Sequence, residues 1–143
     1  MTTVYRNGVL DTAACFELFT ATGWNRVYEL TEDEYLAAVR GSWHVVAALD
    51  GEHLVGLGRI ISDGQLYAMI VDVIVRPEYR GQGIGTAIME QLLEHCKSTG
   101  ICDVKLFAAK GKTDFYHRFG FLERSADAPG MGLRIGRQAI DPE

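Results

Sequence analysis

The segment Val73-Ile-Val-Arg-Pro-Glu-Tyr-Arg-Gly-Gln-Gly-Ile-Gly-Thr86 constrains this chain more than any other. The run that leads into it, Leu66 to Val75, is apolar at both parities and broken only by Asp72, as a central strand covered on both faces requires. Pro77 ends that strand because proline donates nothing to a ladder. Gly81, Gly83 and Gly85 follow, and then Ile84, Ala87, Ile88, Leu92 and Cys96 line one helical face over Gly83 to Ser98, with Gly100 as the stop. With CDVKLFAA (102–109) reading as the next strand, residues 66 to 108 predict a right-handed parallel crossover. The glycines let backbone N–H groups approach an anion closely, and the helix start adds unpaired donors and a positive dipole end. Arg76 and Arg80 are expected to add charge beside this cradle, which suits a pyrophosphate. Neither commoner phosphate motif fits: the dinucleotide fingerprint fails at Thr86, and a P-loop ending at Gly111-Lys112-Thr113 would need glycine where Leu106 stands.

Upstream, WHVVAALD, HLVGLGRII and QLYAMIVDVIV, joined at Asp50-Gly51 and Ser62-Asp63-Gly64, read as a meander of three antiparallel strands. Thr2 to Asn7 suits a short edge strand. One helix is expected over Asp11 to Thr22, stopped by Gly23; another is opened by the Thr31/Glu34 capping box and stopped by Gly41. Near the end, TDFYHRFG predicts a short helix and MGLRIG (131–136) a last strand. The order β, α, α, β, β, β, α, β, α, β predicts an α/β (α+β) mixed sheet, mostly antiparallel, with one parallel crossover.

With 143 residues the chain is expected to form a single domain, 1–143, around one core. Its 48% hydrophobic and 23% charged residues exclude the disordered and collagenous classes. A net charge of −5 gives no attraction to nucleic acid or an anionic membrane, so neither is expected as a partner. The charge is uneven: residues 1–71 carry 4 Arg, no Lys and 9 acids, whereas 72–143 hold 10 basic and 10 acidic residues, so any basic site belongs to the second half. Cys15, Cys96 and Cys102 lack metal or CxxC spacing and read as reduced thiols, pointing to a cytoplasmic location. The start, MTTVYRNGVLD, has no secretory pattern, and the longest apolar run is too short to span a membrane. His44, His53, His95 and His117 show no ligand spacing, so no metal is expected.

Arg80-Gly-Gln-Gly-Ile-Gly85 matches the R/Q-x-x-G-x-G/A motif of the GNAT superfamily of acetyl-CoA-dependent N-acetyltransferases, and Phe115-Tyr-His-Arg-Phe-Gly-Phe121 resembles that family's FYxxxGF segment. The element order is similar as well, so the resemblance covers nearly the whole chain. The run Ala108 to Tyr116 looks closest to the branch of plastid serotonin-type and small bacterial enzymes. Many members carry Asn and Ala ahead of the FY pair, where this chain has Ala109 and Lys112. The resemblance implies splayed strands that bind coenzyme A, with backbone groups of Val73, Ile74 and Val75 holding pantetheine and polarising the thioester. Arg80, Gly81, Gln82, Gly83, Ile84, Gly85 and Thr86 would hold the pyrophosphate. It also implies that Tyr116 protonates the departing sulfur, which a phenol with a pKa of about 10 can do at neutral pH. His117 is a weaker alternative acid–base.

Asp72 is the one ionisable group in its strand, and burial there raises a carboxylate's pKa, making it a candidate base; an ordered water is the alternative. Strict alternation puts it on the face of Ile70 and Ile74, opposite Val71 and Val73. Trp24 and Tyr28 occupy the region that lines the acceptor cleft in similar proteins. Glu29, Glu32, Asp33 and Glu34 form either an acidic mouth for a cationic amine or an ordinary solvated helix face, the commoner case. Asp127 to Met131 is expected to close the cleft's other side. The function expected is acetyl transfer from acetyl-CoA to a primary amine of a small molecule, by direct attack in a ternary complex. The alternatives are a protein or peptide amine acceptor, or a non-catalytic acyl-CoA-binding module. The apolar and glycine content of residues 129–136 permits a homodimer.

Overall fold

The structure is a computed structural model that describes residues 2–8, 10 and 12–135. In chain order its elements are β1 (Thr3–Asn7), α1 (Ala13–Ala21), α2 (Asn25–Tyr28), α3 (Glu32–Arg40), β2 (His44–Asp50), β3 (His53–Ser62), β4 (Tyr67–Val75), a 3-10 turn (Pro77–Tyr79), α4 (Ile84–Thr99), β5 (Asp103–Lys105) and α5 (Thr113–His117). The sheet runs β1-β2-β3-β4-β5, antiparallel except for the parallel β4–β5 pair, so the predicted meander and crossover are present. Among the described residues no helix is long and apolar enough to cross a membrane.

Helices cover both faces of the sheet. On one side α1 and α3 bury Cys15, Leu18, Phe19, Tyr35 and Val39 against Val45, Leu57 and Ile74. On the other α4 buries Ile84, Ile88, Met89 and Leu92 against Val46, Val55, Ile60 and Ile70. Gly58 makes that second contact possible: a Cβ there would meet Ile88 Cγ2 at 2.6 Å and Leu92 Cδ1 at 2.9 Å, so a larger residue would push the helix off the sheet. The capping box opens α3 as its sequence requires, with Glu34 N–H donating to Thr31 Oγ1 (3.2 Å) and Thr31 N–H to Glu34 Oε1 (2.8 Å).

Four differences from the sequence reading bear on the site. The loop expected between the first two helices contains α2. The long strand expected over 102–109 is only three residues; its ladder ends at Met69↔Lys105, and Leu106 to Ala109 leave the sheet. The cause lies in β4, where two residues, Asp72 and Val73, face the single Gly58 of β3, and Asp72 takes a left-handed φ of 52°. Such a bulge bends its strand, so β4 turns away from a neighbour that continues straight. The bulge also breaks the alternation: Ile70 and Val73 both pack on the α4 side while Ile74 packs on the α1/α3 side.

The fourth difference is the last strand. Residues 131–135 form none, and Gly136 lies outside the described residues. Met131, Leu133 and Ile135 are 85%, 85% and 83% exposed, Gly132 and Arg134 between them are exposed too, and nothing among the described residues pairs with this segment.

Candidate active site

The turn after β4 is built from backbone. Gly81 and Gly83 have φ of 77° and 82°, a region costly for any residue with a side chain, and Gly83 is the N-cap of α4. The first full-length helical bond is Ala87 N–H to Gly83 carbonyl, so the N–H groups before it point out of the helix end. A Cβ on Gly81 or Gly83 would meet nothing within 4 Å, so open space faces these donors. The arrangement suits the phosphate groups of a coenzyme, since it offers several unpaired donors, a 16-residue helix dipole and room.

The arginines flanking this turn behave differently from expectation. Arg76 does not stand beside the cradle. It is buried, paired with both carboxylate oxygens of Glu17 on α1 (3.0 and 2.5 Å) and donating to the Leu54 carbonyl, where it locks α1 to β3. Its hydrogen bonds hold the Glu17 carboxyl below its ordinary pKa. Arg80 is exposed but folds back, its Nε donating to the Val75 carbonyl at 3.2 Å.

Where β4 and β5 part, a cleft of about 420 Å³ opens. One wall is Ile70 to Ile74 of β4, and Leu106, Phe107 and Ala109 form the other, with Tyr116 reaching in from α5. Phe19, Trp24, Tyr28, Leu30 and Tyr35 from the α1–α3 side close its end. Trp24 and Tyr28 therefore both lie in the cleft, positioned by α2. None of Glu29, Glu32, Asp33 and Glu34 lines it; the last three form the first turn of α3, where they complement the helix dipole. The acidic-mouth reading is thereby corrected in favour of the solvated helix face. Instead of an acid, the Arg134 guanidinium sits 5.4 Å from the centre of the Tyr28 ring. Of the segment expected to close the cleft, Pro129 and Gly130 line a neighbouring groove, and a Cβ on Gly130 would touch Phe107.

At the cleft floor the bulge turns Asp72 toward α3. Its Oδ2 accepts from Arg59 Nε (2.6 Å) and from the Tyr35 hydroxyl (3.2 Å), while Oδ1 has no partner among the described residues. Arg59 also donates to the Ala38 carbonyl and Ser42 Oγ. Asp72, the one ionisable group of its strand, belongs to an ion pair with Arg59 of β3 whose side chains are 21% and 12% exposed. Burial, together with the Asp72 charge, pushes the Tyr35 phenol far up, so it stays a donor. Sequence reasoning gave Arg59 no role. A signal was present, because Arg59 is the one charge in the apolar run of β3, and hairpin register puts it opposite Val71, beside the one charge in β4.

Tyr116 links the two regions. Its neighbour Phe115 lies 3.6 Å from the Cβ position of Gly85, seating α5 on the start of α4, and Tyr116 itself reaches the cleft. Burial raises its phenol above the ordinary value of 10.0. His117 points elsewhere, bonded to Glu123 outside the cleft, which removes it as the acid–base alternative.

Residues 12–121, from α1 through Phe121 and including both the glycine turn and the Phe-Tyr helix, match the model of the acetyltransferase (GNAT) family. The chain belongs to that family. GNAT enzymes are acyltransferases that use acetyl-CoA, and the mixed sheet with its parting strands is theirs. Over 132 residues, 92% of this chain and 66% of the relative, the sequence is 30% identical to rice serotonin N-acetyltransferase 2, chloroplastic. It is 41% identical over 78 residues, 54% of this chain and 29% of the relative, to GCN5-related N-acetyltransferase 2, chloroplastic, of Arabidopsis thaliana. This chain therefore spans between under a third and about two thirds of the length of those relatives. Among solved structures, a Staphylococcus aureus protein described as a probable acetyltransferase superposes with a TM-score of 0.79 at 25% identity, covering 94% of this chain and 100% of that one.

Proposed function

We propose that this GNAT chain transfers the acetyl group of acetyl-CoA to a primary amine of a small molecule by direct attack in a ternary complex. The observation that carries the reading is Tyr116: α5, seated on the start of α4 through Phe115, places Tyr116 in the lining of an aromatic-walled cleft of about 420 Å³. That volume falls in the range of small-molecule sites.

Acetyl-CoA supplies the activated acyl group. Gly81 to Thr86 would hold its phosphates through backbone donors, and the β4 backbone over Val73 to Val75, still paired with β3 but free of the β5 ladder that ends at Met69, would bind the pantetheine arm and polarise the carbonyl. Tyr116 keeps its proton at neutral pH and delivers it to the departing thiolate. Asp72 has Oδ1 to offer the incoming amine, taking its proton directly or through one water, while Arg59 and Tyr35 hold the carboxylate in place. Trp24, Tyr28 and Phe107 give the acceptor flat apolar walls, which favours an amine carrying a ring or hydrocarbon body.

The test is thiol release from acetyl-CoA over arylalkylamines, polyamines, aminoglycosides, amino acids and lysine peptides, with a thermal-shift titration of acetyl-CoA alongside. Turnover concentrated in one small-amine class is the expected result. Turnover of lysine peptides alone would assign a protein acceptor, and stabilisation by acetyl-CoA without turnover of any amine would assign a binding module.

A further inference from the structure

The glycine turn after β4 is not held by packing of its own. A Cβ on Gly81 or Gly83 would meet nothing within 4 Å, and Arg80, Gly81, Gln82 and Gly83 are all exposed, so where its donors stand depends on how its two ends are fastened. At the far end α4 fastens it, because Ile84 is buried and Phe115 lies against Gly85. At the near end the chain passes through the short Pro77–Tyr79 turn, in which Tyr79 N–H donates to the Arg76 carbonyl (2.9 Å) and Arg80 N–H to the Pro77 carbonyl (3.3 Å). Those bonds are local and fix shape, not place. Between Arg76 and the glycines, one side-chain bond among the described residues reaches a distant element: the Tyr79 hydroxyl donates to Asp50 Oδ2 at 2.7 Å. Asp50 is a fixed post, since it ends β2 with Thr3 of β1 opposite it on one side and His53 of β3 on the other. The Tyr79 ring packs against the core on the α4 side, so its hydroxyl bond ties a part-buried side chain to the hairpin.

We infer that Tyr79 and Asp50 are positioning residues for coenzyme A: their hydrogen bond fastens the near end of the Arg80–Gly83 turn to the β2–β3 hairpin and so aims the turn's backbone donors at the phosphate groups. The inference rests on the phosphate-holding role proposed for Gly81 to Thr86. A bound phosphate needs several N–H groups directed at one point, and a hydrogen bond weakens steeply once its donor swings out of line. A glycine turn is the segment least able to keep such an aim unaided, because glycine has the most backbone freedom to lose. Removing the Tyr79 hydroxyl leaves the ring on the core it packs against but releases the turn from the hairpin. Neither Tyr79 nor Asp50 lines the acceptor cleft, so the effect should be confined to the phosphate-bearing half of coenzyme A.

The test is an NMR titration of the isotope-labelled full chain with coenzyme A and, separately, with pantetheine, which lacks the phosphates. Wild-type protein should bind coenzyme A the more tightly of the two. Tyr79→Phe and Asp50→Ala should each weaken coenzyme A about tenfold, the scale of one hydrogen bond, while leaving pantetheine affinity unchanged and moving the Gly81 and Gly83 amide resonances of the free protein. Asp50→Asn, which keeps an acceptor oxygen, should recover most of the affinity. Tyr79→Phe with Asp50→Ala should cost no more than either change alone, because both remove the same bond. Coenzyme A bound as tightly by Tyr79→Phe as by wild type, an equal loss for pantetheine, or losses that add in the double variant would each overturn the inference and leave the cradle standing. Wild-type protein that binds the two ligands alike would remove the cradle itself, and this inference with it.

Discussion

The Arg80–Thr86 turn and the aromatic cleft meet at Tyr116 but are made of different materials. The turn is contiguous in sequence, works through main-chain N–H groups, and needs glycine at Gly81 and Gly83 because φ there is positive. The cleft gathers side chains from α1, α2, α3, β3, β4, α5 and the stretch after β5. A binding surface made of backbone fails abruptly when its geometry is denied. One made of many side chains loses affinity in steps, and it can change its ligand without disturbing the scaffold.

The hardest test of that contrast is Gly83→Val. A β-branched residue in the left-handed region costs about 1–2 kcal/mol in strain and puts a side chain into the space before the donors, so acetyl-CoA affinity should fall more than about 100-fold by calorimetry. Unchanged affinity in a folded variant would dissolve the cradle assignment. Next comes Tyr116→Phe, expected to lower kcat about 100-fold with the KM for acetyl-CoA unchanged, as loss of a positioned acid does. Burial raises this phenol above its ordinary value, so any alkaline fall in kcat from its ionisation should lie higher in pH than an unperturbed tyrosine would give. A fall at or below the range of an ordinary phenol that Tyr116→Phe abolished would contradict the assignment.

Asp72→Asn probes the floor between the two regions. It leaves Arg59 with a neutral partner in a mostly buried place, for an expected loss of about 2–3 kcal/mol in urea unfolding. Arg59→Met combined with Asp72→Asn, which keeps at 72 a residue tolerated at that left-handed φ, should recover much of that loss; no recovery would mean that the loss does not come from the unpaired Arg59 charge. Trp24→Ala should raise the acceptor KM by roughly tenfold, about 1.4 kcal/mol, and leave acetyl-CoA binding alone. Equal damage to both ligands would erase the distinction drawn above.

The smallest effect lies outside both regions. His117 bonds to Glu123, which raises its pKa above 6.5, and Asp114 lies 3.6 Å away. The raised value means that the contact helps the folded state while the imidazole is charged and fades as pH climbs through the folded pKa. An NMR titration should show that value falling toward 6.5 in Glu123→Gln.

Much was legible because it is local. The capping box, the turn glycines, the helical face of α4 and the hairpin turns each depend on residues within a few positions of one another, and the structure has each where the pattern puts it. Arg76 shows the limit: beside the glycines in sequence, it turns to Glu17, fifty-nine residues away, because burial of a guanidinium demands a paired carboxylate. Asp72 shows it again, since alternation holds only while a strand is regular and the bulge made it irregular.

The amino-acid sequence by itself determined the meander, the crossover and the glycine turn, because periodicity and backbone conformational preference act through near neighbours. Only the tertiary structure decided where β4 and β5 separate, which aromatic residues converge on the gap, how Arg59 and Tyr35 hold Asp72, and that the apolar alternation after Gly130 finds no partner within its own described chain. Those outcomes rest on pairing between distant segments, where one inserted residue at a bulge redirects everything that follows it.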